Sequence, residues 1–328
     1  MSNLDPDPRE SSCGGVAVAE PSPPPSTLLP REVPLGGPKG ILVRRALPHR
    51  SIRTVGAWCF ADHYGPITLT DPAVRGMVVP PHPHIGLQTV TWLLAGEVEH
   101  RDSVGSFQQV RPGELSLMTA GRGIAHSEYS RPVTDRLFGV QLWVALAEGQ
   151  RDRAPGFEHH GDLPRGEHDG VAVTVITGTM AGLQSPASTY SPLVGAELRI
   201  PPGTTTLLPV ERDFEYGMLT LDGAAEVAGE QVPFGALRYL GWGRDGIPVA
   251  SSDGATLLLL GGEPLAEHLL MWWNFVGRDH DEIVAAREDW EAHRRFGEVA
   301  GDSNPRIPAP PLPSVRMMPR PPRNDRSR

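Results

Sequence analysis

The chain has 328 residues, enough for one large domain or two ordinary ones. Its 39% hydrophobic and 21% charged residues read as globular, while 37 Gly, 35 Pro and only 6% aromatics point to many short strands joined by turns and exclude a helical bundle. With 30 Lys+Arg against 39 Asp+Glu the net charge is −9, which repels a phosphate backbone and argues against direct nucleic-acid binding.

Residues 1–30 open on the acidic, proline-broken run Met1-Ser2-Asn3-Leu4-Asp5-Pro6-Asp7-Pro8 and close on Pro21-Ser22-Pro23-Pro24-Pro25-Ser26. They hold few large apolar groups to offset the entropy of ordering, so a disordered tail is expected. The opening lacks the basic start and apolar run of a secretory signal. Two cysteines, Cys13 and Cys59, are too few for a disulfide framework, and reduced thiols in a cytoplasm are expected. No stretch is apolar over the length a bilayer requires, so no membrane partner is expected.

Strand-like runs rich in β-branched and aromatic residues follow at 40–43, 88–94, 115–118 and 140–144. A second series lies at 171–176, 196–200, 218–221 and 255–260, with 151–190 expected to connect the halves. The series look like copies. Leu94-Ala95-Gly96-Glu97-Val98 is answered by Leu221-Asp222-Gly223-Ala224-Ala225, and the Pro112-Gly113 turn by Pro233-Phe234-Gly235. Gly121-Arg122-Gly123 likewise has its counterpart in Gly241-Trp242-Gly243. A duplicated antiparallel barrel accounts for both series, since closing a sheet removes its exposed edges. The all-β chain then divides into a front barrel over 31–150 and a second unit over 151–300.

Near the end, Asp279-His280-Asp281-Glu282 sets a capping residue three before a glutamate and predicts one helix, with Ile283, Ala286, Trp290 and His293 on its packing face. His293-Arg294-Arg295 would meet the negative end of the helix dipole, and Gly297 would stop the helix. The segment 301–328 turns to proline and carries six arginines against one acid from Ser303 onward. A solvated tail is expected there, ahead of one that lies on the acidic body or catches an acidic partner.

The richest stretch chemically is Pro80-Pro81-His82-Pro83-His84-Ile85-Gly86. Histidines at i and i+2 of an extended chain share a face, and the prolines enforce the extension. His126 and Glu128, in Gly121-Arg122-Gly123-Ile124-Ala125-His126-Ser127-Glu128, repeat that spacing. Together His82, His84, His126 and Glu128 offer three imidazoles and a carboxylate, a set suited to a first-row divalent metal with coordination positions to spare. Iron(II) is the expected ion, with manganese, nickel, copper or zinc left open; a closed structural zinc site would more often recruit cysteine. The other histidines, His100 among them, are read as ordinary core or surface residues. Phe60, Asp62, His63, Tyr64, Trp92 and Met118 are read as barrel core ahead of a pocket for a planar ligand. Met271-Trp272-Trp273-Asn274-Phe275 is read as a packing strip between the halves.

The run from His82 to Thr91, Gly96-Glu97-Val98-Glu99-His100-Arg101-Asp102-Ser103, Arg111-Pro112-Gly113, Met118 to Glu128 and Gln141-Leu142-Trp143-Val144 resemble the pirin family of the cupin superfamily. The resemblance is dense over residues 33–150 and traceable to about 300. It implies two cupin-type jelly-roll barrels in tandem, the first holding a single metal, usually iron, through the residues matching His82, His84, His126 and Glu128. Gln88 departs from the glutamate common in the family at a position one shell out from the metal, a loss of charge expected to leave binding intact but to alter the metal's tuning and any proton transfer there. The second barrel has no histidine between His168 and His268 and is expected to be metal-free. The implied activity is a quercetin (flavonol) 2,4-dioxygenase, with a small planar flavonol and dioxygen as substrates and Glu128 as the catalytic residue, either leaving the metal or accepting the hydroxyl proton. The alternative is an iron-dependent redox-sensing regulator acting through a protein partner, either a transcription co-factor or a metabolic enzyme.

Overall fold

Alternation of buried and exposed side chains builds four main sheets, arranged as two copies of one plan, in the computed structural model, which describes residues 22–35, 41–70, 76–131 and 134–322. In the first copy a seven-stranded antiparallel sheet runs in the order Gly156–His160, Leu115–Thr119, Leu87–Ala95, Arg136–Ala145, Trp58–Thr68, Ile41–Leu47, Arg31–Leu35. A four-stranded sheet, ordered Val78–His84, Ile124–Ser130, Val98–Asp102, Phe107–Val110, packs on it through Val43, Tyr64 and Leu93 on one side and Val79, Val98 and Val110 on the other.

The second copy repeats the scheme. Its large sheet is ordered Ser26–Leu28, Leu237–Gly241, Glu215–Gly223, Ala255–Gly262, Leu193–Ile200, Val171–Thr177, Arg165–His168. Its small sheet is ordered Thr204–Pro209, Gly246–Ser251, Ala225–Val227, Glu230–Val232. The internal strands correspond place for place, so the duplication legible in the sequence is the architecture.

The edges depart from a simple tandem. Ser26–Leu28 pairs with residues 237–239 of the second barrel, and Gly156–His160 pairs with Leu115–Thr119 of the first. Each barrel is therefore edged by the segment that precedes the other. Two expected boundaries move as a result. Residues 26–28, expected in a disordered tail, form a strand because Leu28 enters a core that other residues supply; residues 1–21, with Cys13, lie outside the described residues. Residues 156–160, expected in the connection, complete the first barrel.

The two large sheets pack against each other. Val90, Trp92, Val140, Leu142 and Val144 point at the opposite barrel, where Leu219, Leu221, Leu258 and Leu260 meet them. Polar groups trapped in this layer find partners across it. Trp92 Nε1 donates to Glu197 Oε2 at 2.7 Å, and the fully buried Glu215 accepts from the Gly56 N–H at 2.7 Å and from the Tyr239 hydroxyl at 2.5 Å.

His63 faces this layer too, with ring centroids 5.3 Å from Phe138 and 5.0 Å from Phe234, and neither ring nitrogen has a hydrogen-bond partner among the described residues. Burial, aided by the Arg44 charge, pushes its pKa down to about 3. An unfolded histidine titrates near 6.5. Below that pH the unfolded chain binds a proton the native state refuses, so stability falls as pH drops from 6.5 and levels off only near the folded value. His63→Leu is expected to shrink the loss of unfolding free energy between neutral pH and pH 4 by on the order of 2 kcal/mol. Urea titrations at the two pH values check this; an equal loss in the variant would assign the acid sensitivity elsewhere.

The helix forms over His280–Glu291, with Asp279 as its cap accepting the Glu282 N–H at 2.9 Å. Ile283, Ala286 and Trp290 are buried, and they pack on Ile85 and Ala125 of the first barrel. The expected carboxyl end is corrected. The chain leaves the helix at Ala292, and His293 and Arg295 take left-handed backbone angles, so neither the histidine nor the arginines lie in the last turn. The expected solvated tail is also corrected, since residues 303–322 strap the helix to the barrel. Trp290 Nε1 donates to the Ile307 carbonyl at 2.9 Å, the Ile307 N–H donates to the Pro81 carbonyl at 2.9 Å, and Arg316 pairs with Asp281 at 2.8 Å. Residues 323–328 lie outside the described residues. No described helix is long and apolar enough to cross a membrane.

Candidate metal centre

Strand pairing brings the chemistry together. The Val78–His84 strand runs antiparallel to Ile124–Ser130, with His82 opposite His126 and a bulge between His126 and Glu128. The other side of Ile124–Ser130 pairs with Val98–Asp102, which sets His100 opposite Glu128 and Asp102 opposite His126. Gly86 ends the first strand at φ +68, where a Cβ would stand 2.0 Å from the Val276 carbonyl oxygen. Only glycine can turn the chain there without displacing His84.

The ring centroids of His82 and His126 are 4.3 Å apart, and His84 lies 5.0 Å from each. One nitrogen from each of the three lies within 4.8 Å of the others, and all three are buried. Glu128 falls within the same limit of His126 and His100, so two clusters share His126. The four candidates from the sequence thus line one cavity, with Glu128 grouped beside His100. His100, read as ordinary, belongs to the site. Its signal was present in the sequence as His100-Arg101-Asp102, a third pair of potential ligands at i and i+2.

The hydrogen bonds fix which nitrogens are available. His82 Nδ1 donates to the Pro80 carbonyl and His84 Nδ1 to the Asn274 carbonyl, both at 2.9 Å, which leaves each Nε2 with its lone pair. His84 Nε2 faces His126 Nε2 at 3.1 Å. Burial pushes His82 down to about 4 and holds His84 and His126 well below the usual histidine range, so charging a ring is disfavoured. Converging uncharged imidazoles with no room for protons fit a divalent cation. Burial raises the Glu128 carboxyl above its ordinary value, opposed by His100 and by the Thr91 hydroxyl, which lies 3.2 Å from Oε1.

The cluster opens into a cavity of about 480 Å³, a volume that suits a small organic ligand. Phe60 and Trp143 form part of its wall, stacked at 4.0 Å and 12°. Arg45 lies 4.3 Å over the Phe60 ring and holds Asp62 by two bonds of 2.7 Å. Trp273, Asn274 and Ile307 complete the lining from the far end of the chain. Phe60 is therefore a wall of the site as well as core, whereas Trp92 belongs to the layer between the barrels and Met118 to the core. Part of the strip at 271–275, expected only to pack, supplies Trp273 and Asn274 to the cavity.

Gln88 is also repositioned. It lies on the same face of its strand as Val90 and Trp92, away from Thr91, and its amide donates to Thr119 Oγ1 at 3.0 Å and to the Ser188 carbonyl at 3.1 Å. A carboxylate would set an acceptor against that carbonyl. Gln88→Glu is expected to destabilise the fold by about 1–3 kcal/mol, read from urea unfolding; a variant as stable as the parent would show that Ser188 yields.

A family model described as Pirin matches residues 40–144, and one described as the Pirin C-terminal cupin domain matches residues 195–297. The chain is 49% identical over 284 residues to a Pseudomonas aeruginosa protein provisionally named a quercetin 2,3-dioxygenase, covering 86% of this chain and 89% of that one. A pirin-like protein of Caulobacter vibrioides is 37% identical over 258 residues, 77% of this chain and 88% of the relative. The crystal structure of a quercetin 2,3-dioxygenase from Acinetobacter baumannii superposes with a TM-score of 0.85 at 42% identity, covering 90% of this chain and 97% of that chain.

Proposed function

The chain belongs to the pirin family, and from that premise we propose that it is a mononuclear metal-dependent dioxygenase of flavonols, with iron(II) held by His82, His84, His126 and Glu128. The observation that carries this reading is the placement of three uncharged imidazoles and a buried carboxylate at an aromatic-walled cavity of about 480 Å³. When bound, the ion would supply Lewis-acid polarisation of a substrate oxygen.

The chain's own residues do the rest. Phe60 and Trp143, stacked on each other, give the cavity an apolar aromatic wall beside which a planar ring system can lie. Glu128, which lines the cavity beside the three imidazoles, is placed to accept the hydroxyl proton as the substrate becomes an enolate. Thr91 bridges Glu128 and Gln141, with its hydroxyl 3.2 Å and 2.9 Å from their oxygens, and steadies the carboxylate for that transfer.

The test is quercetin binding without oxygen, followed by aeration and measurement of carbon monoxide. Iron-loaded protein is expected to release it, and Glu128→Ala to lower the rate at least a hundredfold, roughly the share of a positioned general base. Absence of carbon monoxide from protein carrying stoichiometric iron would rule the activity out.

A further inference from the structure

His100 and Asp102 stand behind the ligand candidates and decide what His126 can offer. An ionised carboxylate only accepts, so Asp102 Oδ2, 3.1 Å from His100 Nε2, requires the proton on that nitrogen. When that is the one proton on the His100 ring, its Nδ1 is bare and turned toward His126, whose own Nδ1 lies 3.4 Å away. The proton of His126 therefore sits on Nδ1, and its Nε2 lone pair is left facing the centre. His82 and His84 reach the same state directly, through carbonyl oxygens. His126 reaches it through a second ring and a carboxylate.

We propose that His100 and Asp102 are positioning residues, a carboxylate–imidazole relay that fixes the tautomer of His126 and keeps its Nε2 ready for a divalent cation. The inference rests on the metal-centre reading above. The relay is rigid. His100 and Asp102 are 2% and 1% exposed, and Phe157 stacks on the His100 ring at 4.5 Å. Asp102 Oδ1 accepts the Val104 and Ser106 N–H groups at 3.0 and 2.9 Å, so only Oδ2 is turned to His100.

That second pair of bonds makes Asp102→Asn an inversion of the relay with little change of shape. The amide oxygen keeps the two backbone donors, and the amide nitrogen turns to His100. Every proton then moves over by one nitrogen, and the last one arrives on His126 Nε2, where it blocks the cation. His100→Asn, by contrast, leaves an oxygen at the place of Nδ1 and keeps the acceptor, while His100→Phe removes it.

The experiment uses the full chain with zinc(II), a diamagnetic probe, at a pH above neutral. Affinity is read by competition with a coloured chelator, and the proton positions by imidazole 15N–1H correlation spectra of the zinc-loaded protein. His126 is expected to carry its proton on Nδ1. Asp102→Asn and His100→Phe are expected to weaken zinc binding by roughly ten- to a hundredfold, with His100→Asn restoring it to within a few-fold. Wild-type affinity in a folded Asp102→Asn, equal losses in His100→Asn and His100→Phe, or a bare Nδ1 on His126 would overturn the relay. Should Asp102→Asn not fold, the two His100 variants decide alone. A wild-type chain that takes no zinc would remove the metal-centre reading itself, an outcome distinct from a relay that fails while zinc still binds.

Discussion

Replacing His84 with alanine is expected to abolish most of the stabilisation that a divalent metal confers on this protein. A ligand that binds only the native state adds about 4.1 kcal/mol at a thousandfold excess over its dissociation constant. His84 supplies one of three converging nitrogens, and its ring is locked to the Asn274 carbonyl so that Nε2 has no other task. A loss of roughly a hundredfold in affinity would cut the gain at the same metal concentration to about 1.4 kcal/mol. Calorimetric melting of both proteins, with and without iron(II) under anaerobic conditions, reads the difference. An equal metal-induced shift in the variant would place the cation elsewhere.

The second large effect is expected at Trp290. Its side chain is 1% exposed and packs with Ile85, Phe275 and Phe296, so Trp290→Ala leaves a cavity expected to cost about 3–5 kcal/mol. It also removes the donor to the Ile307 carbonyl and the ring under Arg306, whose guanidinium lies 3.4 Å from the ring centroid. Ile307 is bonded in turn to Pro81, the neighbour of His82, and lines the cavity. Loosening the helix therefore lifts a wall of the cavity that the histidine cluster opens into. Limited trypsin digestion is expected to cut the variant at Arg306 and Arg316 well before the parent, and urea unfolding measures the stability loss. Trp290→Phe, which keeps most of the apolar bulk, should retain more stability yet still release the strap. A strap as protected in both variants as in the parent would show that it is held by its other contacts.

The pairs His82/His84 and His126/Glu128 were legible because the geometry within each is local. Two residues apart on an extended chain means one shared face, and proline on either side of His82 makes the extension hard to avoid. The duplication was legible for a related reason, since glycine and proline mark the same corners twice. What escaped depends on partners far along the chain. His100 joins the site only through pairing with the Ile124–Ser130 strand, and Asn274 reaches His84 across 190 residues. Gln88 was misplaced because its strand is covered on both sides, so its apolar pattern does not tell inner face from outer. The two ends read as disordered because composition counts what a segment can bury by itself. Leu28 and Ile307 are held instead by surfaces that other residues provide.

The strands exchanged at the barrel edges bear on how the protein is made. Ser26–Leu28 leaves the ribosome early, yet Thr27 waits for Arg238, 211 residues further on. The first barrel can complete its large sheet once Gly156–His160 has emerged, while the nascent amino terminus still holds an unclaimed β-edge. Separate expression of the halves would strand each one's border with the other, and a fusion that tethers the amino terminus would leave the finished second barrel unsealed.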